Sequence, residues 1–398
     1  RGEIPKRAKL RPRVPVSLSA PAKDSSHSRW RRLAGSVPRV SPITNLDFRS
    51  ELRQSPSSQQ ALIDALDLAG LDPRKIHHDS ARLRNALGQA RESIAVDLKI
   101  SPANIEFVGE LGFGFWLAIE GMLRASENQF VYSAIDRQLI HAIAREQLSR
   151  PVMELPVDGS GVVDYESTAI PDGAILTWQA ANRETGITQS PPARNSLRVF
   201  ADMSATLNPS SLPKEWCAAI WDPRNFAGPE GLAILAISDD SNSWLNPLPN
   251  IDNRRSFGSH SKSAVIATAV ALRDWTANQA ALEEKLFKLN SYLRKLILEK
   301  IPGVRIAGSE IGDPQRLALV VNDIVAEQLL REMEKNQILI DAGSACSAAA
   351  LSPSHVLSSM GLGEDGQLRF TLKSGHNEEA IENLVAVLET EISKLRAN

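Results

Sequence analysis

The sequence predicts an α/β protein with a large domain around a mixed, mainly parallel sheet and a smaller α+β domain at its carboxyl end. From residue 58 onward, segments with apolar residues at three- and four-residue spacing alternate with short apolar runs. After residue 239 the chain becomes polar, and a long helical segment follows before the last third returns to short strands and helices. Such alternation is typical of βαβ units whose sheet is covered on both faces.

The elements of the first domain follow from this spacing. Amphipathic helices are predicted at 58–70 and 80–98, and helical or turn segments at 115–126 and 136–148. Strands are predicted in six apolar runs, 105–109, 129–135, 173–180, 196–203, 217–222 and 231–238. The long helix is predicted over 262–301, with an interruption expected near Asn278.

The amino-terminal segment differs from the rest in charge. Residues 1–40 hold eleven Lys and Arg against two acidic residues, whereas the remaining chain has 34 basic and 45 acidic residues. A Pro-, Ser- and Arg-rich stretch without a periodic apolar face is typical of disorder. We therefore expect a basic disordered segment at 1–42, the large domain at 43–250 and the small domain at 251–398. The basic segment is interpreted as a targeting or nucleic-acid arm, or as a tail without function.

Composition limits the other function classes. The chain is 42% hydrophobic and 23% charged, and it has no run of 18 apolar residues that could span a bilayer. Its two cysteines, Cys217 and Cys346, are too few for a disulfide framework, and no Cys/His cluster has metal-ligand spacing. Cys217 opens an apolar strand and is expected to be packing. No metal and a reducing, cytoplasmic setting are therefore expected.

Polar residues lie where the predicted strands end. Asn182 follows the strand at 173–180, Asp202 lies near the end of 196–203, and the turn "PRNFAGPEG" follows 217–222. Because the carboxyl ends of parallel strands meet at one edge, these residues are expected to approach each other. They predict either a crevice for a polar heterocycle or a set of ordinary turn caps.

Several motifs in order resemble one known family. They are "SARLRNALGQARESIAVDLKISPANIEFV", "LPVDGSGVVDY", "ANRETGITQ", "FAGPEG", "GSACSAAALSPSHVLSSMGL" and "LRFTL", between about residues 60 and 395. Together they resemble the cysteine desulfurases, which have the class V aminotransferase form of the pyridoxal phosphate (PLP)-dependent transferase fold. The resemblance implies the cofactor PLP, a homodimer and a sulfur-acceptor protein.

The resemblance also implies roles for single residues. Asp202 matches the aspartate that pairs with the pyridine nitrogen, and Asn182 matches the asparagine near the ring hydroxyl. Arg369 matches the arginine that binds the substrate carboxylate, and Ser259 falls where the family binds the phosphate of the neighbouring subunit. Cys346 matches the thiol that becomes a persulfide.

Other positions depart from the family. Asn225 stands at the position of the Schiff-base lysine, and an amide cannot form that bond. Asp136 replaces the histidine that stacks on the ring, and Ala205 replaces a glutamine. The phosphate loop reads "GELGFG", with Gly112 in place of a threonine. These four changes all fall at predicted cofactor contacts.

Three functions are consistent with these observations. The first is a degenerate cysteine desulfurase-like protein that serves as a sulfur relay or as a partner, in a homodimer or in a heterodimer with an active paralogue. The second is an active PLP-dependent desulfurase, or a related amino-acid lyase or transferase, that forms a Cys346 persulfide. The third is a nucleic-acid-associated protein that uses the basic arm. A membrane partner is not expected.

Overall fold

The computed structural model describes residues 46–50, 52–240, 242–249, 260–308, 310–343 and 353–397. The predicted disordered segment at 1–42 lies outside them, so its disorder stays a prediction. The strands are β1 (Ile105–Val108), β2 (Phe130–Ser133), β3 (Val152–Leu155), β4 (Ile175–Gln179), β5 (Arg198–Asp202), β6 (Ala218–Trp221), β7 (Ala233–Ile237), β8 (Val304–Ile306), β9 (Arg316–Val321), β10 (Asp341–Ala342) and β11 (Gln367–Thr371).

The helices lie between and after these strands. They are α1 (Pro56–Asp64), α2 (Leu66–Ala69), α3 (His78–Leu98), α4 (Leu111–Arg124), α5 (Gln138–Arg145), α6 (Lys262–Lys300), α7 (Ala326–Lys335), α8 (His355–Ser359) and α9 (Glu378–Ala397). Side-chain oxygens cap the amino termini of several helices. Ser55 accepts from an amide of α1, and Ser261 accepts from an amide of α6. Such caps satisfy amides that have no partner within the helix.

The first sheet has seven strands in the order β1-β7-β6-β5-β4-β2-β3. Strands β6, β5, β4, β2 and β3 are parallel, and β7 is antiparallel to both of its neighbours. Every residue of β4, β6 and β7 is buried, because helices cover both faces. On β5, Val199 belongs to a core that includes residues of α3 and α6, while Phe200 belongs to one that includes residues of α4 and α5.

The second sheet is antiparallel, in the order β10-β11-β9-β8. Its apolar side chains pack with the carboxyl-terminal half of α6 and with α7 and α9 in a further hydrophobic core. Strand β11 is central and fully buried, so Arg369 at its middle has a fixed direction. Its neighbours in register are Ala318 on β9 and Asp341 on β10.

Two features differ from the sequence expectations. Helix α6 runs without a break through Asn278, because the Asn278 side-chain amide donates to the carbonyl of Asp274 at 2.8 Å within the helix. The expected interruption was therefore wrong. Strand β3 was not predicted, since Val152 and Glu154 are exposed and no continuous apolar run marks it. The predicted boundary at residue 250 stays a prediction.

Two sequence expectations concern Cys217 as a packing residue and the lack of a membrane-spanning segment. Cys217 directly precedes β6 and is partly buried, and burial raises the pKa of its thiol. A raised thiol pKa disfavours the nucleophilic thiolate, consistent with packing. Within the described ranges, none of the helices combines the length and the apolar character needed to cross a bilayer.

Two glycines test how tightly the strand bearing Arg369 is held. Gly366 and Gly361 both have left-handed backbones, with φ of +65° and +70°. A Cβ on Gly366 would lie 1.8 Å from the carbonyl oxygen of Val321, whereas one on Gly361 would meet nothing within 4 Å. Gly361→Ala should cost about 1 kcal/mol of unfolding free energy from backbone strain alone. Gly366→Ala should cost clearly more in denaturant titrations, and equal losses would contradict this packing.

Candidate functional site

The candidate site lies at the carboxyl ends of the parallel strands β2, β4, β5 and β6, where open α/β sheets bind ligands. A cavity of about 270 Å³, here called the first cavity, is lined by residues that follow these strands and by Arg369 of β11. A second cavity of about 560 Å³ adjoins it. Three arginines, Arg137, Arg183 and Arg224, line both cavities. The two cavities therefore form one cleft.

Asp202, the last residue of β5, is paired with an arginine of the same chain. The Arg137 Nε donates to the Asp202 carboxylate at 3.0 Å, and the Ser204 amide donates to its other oxygen at 2.9 Å. The Arg137 guanidinium also lies over the Phe115 ring, 5.0 Å from its centroid. Both charged side chains are largely buried. A buried carboxylate requires such a partner, and Arg137 supplies it from within the protein.

Asn225 lies in the short 3₁₀ turn Pro223–Phe226 that follows β6. Its amide nitrogen donates to the carbonyl of Thr206 at 2.6 Å, and its oxygen accepts from the Arg316 guanidinium. Arg316 donates as well to the carbonyl of Ala205 at 2.5 Å. Both ends of the Asn225 amide are thus satisfied inside the protein. A cation is present beside this position, but a guanidinium stays protonated and is no nucleophile.

The amino terminus of α4, where the resemblance places a phosphate, carries a carboxylate. Glu110 accepts from the amides of Gly112 at 2.7 Å and Phe113 at 2.5 Å. Amides at a helix start attract anions, and the Glu110 side chain satisfies that preference from within the chain. Gly112 contributes an amide to this cap and has no side chain of its own.

Asp136, at the position of the stacking histidine, is fully buried. Its carboxylate accepts from the Ser133 amide at 2.9 Å, from the Thr177 hydroxyl at 2.5 Å and from the Gln179 amide nitrogen at 3.1 Å. Burial nevertheless raises the pKa of Asp136 from 3.8 to about 7, and the charge of Asp202 acts in the same direction. The hydrogen bonds direct this carboxylate into the protein.

Asn182 shapes the turn that follows β4. Its oxygen accepts from the amides of Glu184 at 2.9 Å and Thr185 at 3.2 Å, and its nitrogen donates to the carbonyl of Ile135 at 3.1 Å. Side-chain bonds of this kind stabilise turns. The turn points the next residue, Arg183, into both cavities.

Arg369 is nine-tenths buried on β11 and lines the first cavity. Its Nη1 lies 3.7 Å from the Glu184 carboxylate, which also accepts from the Ser354 hydroxyl at 2.5 Å. The Nε and Nη2 of Arg369 are buried without a hydrogen-bond partner in the described structure. These two N–H groups form one edge of the guanidinium, the edge that binds a carboxylate in bidentate fashion.

The structure therefore places five of the eight named positions, Asp136, Asn182, Asp202, Arg369 and Gly112, around the first cavity and Asn225 at the second. Cys346 and Ser259 lie outside the described residues. Sequence reasoning missed Arg137, Arg183 and Arg316. A signal existed for Arg137 and Arg183, because arginine occurs in "IDR" and "ANR" after two of the strands, but spacing alone does not show which groups an arginine contacts.

No protein-family model matches the chain. Among curated proteins, the cysteine desulfurase IscS of Dictyoglomus turgidum is 24% identical over 349 residues, covering 82% of this chain and 88% of the relative. The mitochondrial cysteine desulfurase of Arabidopsis thaliana is 24% identical over 340 residues, covering 78% and 74%. An IscS from Clostridium botulinum is 26% identical over 357 residues, covering 82% and 88%.

Solved structures agree on the fold. A NifS-like protein superimposes with a TM-score of 0.78 at 20% identity, covering 88% of this chain and 100% of the other. The chain has the NifS-like fold. A second NifS-like protein, from Rickettsia africae, gives a TM-score of 0.74 at 20% identity and covers 87% and 99%. The predicted class V aminotransferase fold is confirmed, and the chain is similar in sequence to cysteine desulfurases.

The cofactor implied by the NifS-like fold can be tested against the described side chains. Arg137 donates to the carboxylate that would accept a hydrogen bond from the pyridine N–H. Glu110 accepts from the amides that would donate to the phosphate. Asn225 has no amine, and none of the described residues that line the two cavities is a lysine. In this arrangement the described residues do not fit PLP held as a lysine Schiff base.

Asp136 should make stability depend on pH. Its folded-state pKa of about 7 exceeds the unfolded value near 3.8, so the folded protein retains a proton that the unfolded chain has released. The free energy of unfolding should therefore fall as pH rises from about 4 to about 7. Asp136→Asn should flatten this decline in denaturant titrations, whereas the exposed Asp64→Asn should leave it. Equal slopes in wild type and Asp136→Asn would refute the assignment.

The Arg137–Asp202 pair should show strong coupling. Arg137→Met should lower the free energy of unfolding by about 3 kcal/mol, because it leaves the Asp202 carboxylate buried without its cation. Adding Asp202→Asn should recover at least half of that loss, since the unpaired charge is then gone. A double-mutant cycle by urea unfolding measures the coupling. Additive losses would mean that the two side chains do not depend on each other.

Proposed function

We propose that this chain is a degenerate cysteine desulfurase-like protein that does not form a Schiff base with PLP. The observation that carries the proposal is Asn225 at the lysine position, with its amide bonded to Thr206 and Arg316. A carboxamide nitrogen is not basic and cannot condense with an aldehyde or move a proton at the substrate carbon. The lysine-dependent reaction is therefore lost at its first step.

The Arg137–Asp202 pair and the Glu110 cap support the same proposal. To bind PLP, the cleft would have to break a buried ion pair and displace a carboxylate from the start of α4. Breaking a buried pair costs about 3–5 kcal/mol, which is about the binding free energy of a ligand with a millimolar Kd. Free PLP would have to recover that loss without a covalent bond to the protein.

The retained role is that of a partner or sulfur-relay subunit. A NifS-like chain without its own lysine can still pair with a second copy or with an active paralogue, and the dimer is part of this proposal. Cys346 would receive sulfur from another protein. Its thiolate attacks the outer sulfur of a donor persulfide, the donor S–S bond breaks, and the donor leaves as a thiolate. The proposed setting is the cytoplasm, where both cysteines would stay reduced.

One observation favours the alternative of an active enzyme on cysteine or a related amino acid. The free edge of Arg369 could still bind an amino-acid carboxylate. This contact holds a substrate but supplies no electron sink or proton transfer. The degenerate interpretation therefore agrees with more of the cleft.

Incubation with PLP separates the two functions. The wild-type protein should show no aldimine absorbance band and no covalent adduct by mass spectrometry after borohydride, because none of the described residues that line the cleft carries an amine. With PLP, L-cysteine and a reductant it should release no more sulfide than a protein-free mixture. An active cysteine desulfurase serves as the positive control. A reducible adduct on a lysine, or sulfide release that Cys346→Ala abolishes, would overturn the proposal.

A further inference from the structure

The cleft contains more cationic hydrogen-bond donors than its own acids satisfy. Of the arginines that line the first cavity, Arg137 is paired with Asp202, and Arg224 is paired with Asp222 at 2.8 Å. Arg183 and Arg369 differ from these two. Both line the first cavity, and each has donors without an acceptor among the described residues.

Arg369 contributes a buried and directional site. The Nε and Nη2 edge has no acceptor among the described atoms, and Glu184 near the opposite end leaves that edge open. Burying donors without acceptors costs about 1–3 kcal/mol per group. A protein retains such an arrangement where a bound acceptor, a ligand or water, completes it.

Arg183 contributes a second cation that is accessible to solvent within the cleft. It has no hydrogen bond or ion pair within the described part of the chain. The pKa of Arg183 is lowered to about 10, mainly by the positive charge of Arg137 and further by burial and by the charge of Arg369. It stays protonated at neutral pH and is repelled by its neighbours, and a bound anion would remove that repulsion.

None of the acids that line the first cavity is hydrogen-bonded to or ion-paired with Arg183 among the described residues, although the charge of Glu184 offsets part of the repulsion at Arg183. Asp202 is bonded to Arg137, and Glu110 caps α4. Glu184 accepts from Ser354, and Asp136 accepts three hydrogen bonds from within the protein. The first cavity has a volume of about 270 Å³, which is enough for a short aliphatic acid.

We propose that the first cavity binds a short dicarboxylate, with one carboxylate on the Nε and Nη2 edge of Arg369 and the other on Arg183. The inference rests on the proposed function, since it assigns the cleft to a ligand other than PLP. The resemblance implies a carboxylate at Arg369 alone. The site for the second carboxylate depends on Arg183, which belongs to this chain's own "ANRETG" turn.

The test uses succinate as the dicarboxylate and butyrate as a monocarboxylate of the same chain length, both measured by isothermal titration calorimetry on the full chain. Wild type should bind succinate at least about tenfold more tightly than butyrate, because a second charge-assisted contact forms. Arg183→Gln should weaken succinate binding at least about tenfold and leave butyrate binding unchanged. Arg331→Gln, a surface arginine paired with Glu327 on α7, is the matched control and should change neither.

The outcomes separate this inference from the proposed function. Equal affinities for succinate and butyrate, no effect of Arg183→Gln, or no succinate binding at about 10 mM would overturn the dicarboxylate site. Circular dichroism and the unliganded Tm establish that Arg183→Gln is folded. PLP and borohydride are applied to the same preparations. An adduct overturns the proposed function, whereas absent succinate binding without an adduct overturns the dicarboxylate site alone.

Discussion

The ion pair between Arg137 and Asp202 is the interaction on which the rest of the cleft depends. Asp202 is held at the end of a buried parallel strand, where a carboxylate needs a cation. In a PLP enzyme the protonated pyridine nitrogen supplies that cation. Here Arg137 supplies it permanently, steadied by the Phe115 ring below the guanidinium. The carboxylate that would contact the cofactor ring therefore has a cation from the protein itself.

Two other groups that the resemblance places at the cofactor also have partners within the protein. The amides at the start of α4 meet Glu110, and the amide at the lysine position meets Arg316 and Thr206. These three groups, Asp202, the α4 amides and Asn225, each have an internal partner of matching charge or hydrogen-bonding type. Among the described residues, Arg183 and Arg369 are the arginines of the first cavity with donors that face it and have no internal acceptor. The proposed loss of the lysine-dependent reaction is compatible with this fold, because the fold depends on the buried strands whereas such a reaction depends on a few side chains.

Much of the fold and part of the cleft could be predicted from the sequence, for physical reasons. Continuous apolar runs mark buried parallel strands, and polar residues at their ends mark a site, so the fold and the positions of Asp202 and Asn182 could be predicted. Exposed strand β3 lacked that signal. The expected break at Asn278 was wrong because its side chain bonds within α6. The pairing of Arg137 with Asp202 joins residues 65 positions apart, and its formation depends on side-chain direction that the sequence does not show.

A crystal structure of the protein soaked with PLP tests the central claim most directly. The account predicts that the Arg137 guanidinium remains bonded to Asp202, that Glu110 still caps α4, and that no pyridine ring is bound between Asp202 and Asn182. A pyridine ring bonded through its nitrogen to Asp202, with Arg137 displaced, would contradict the account.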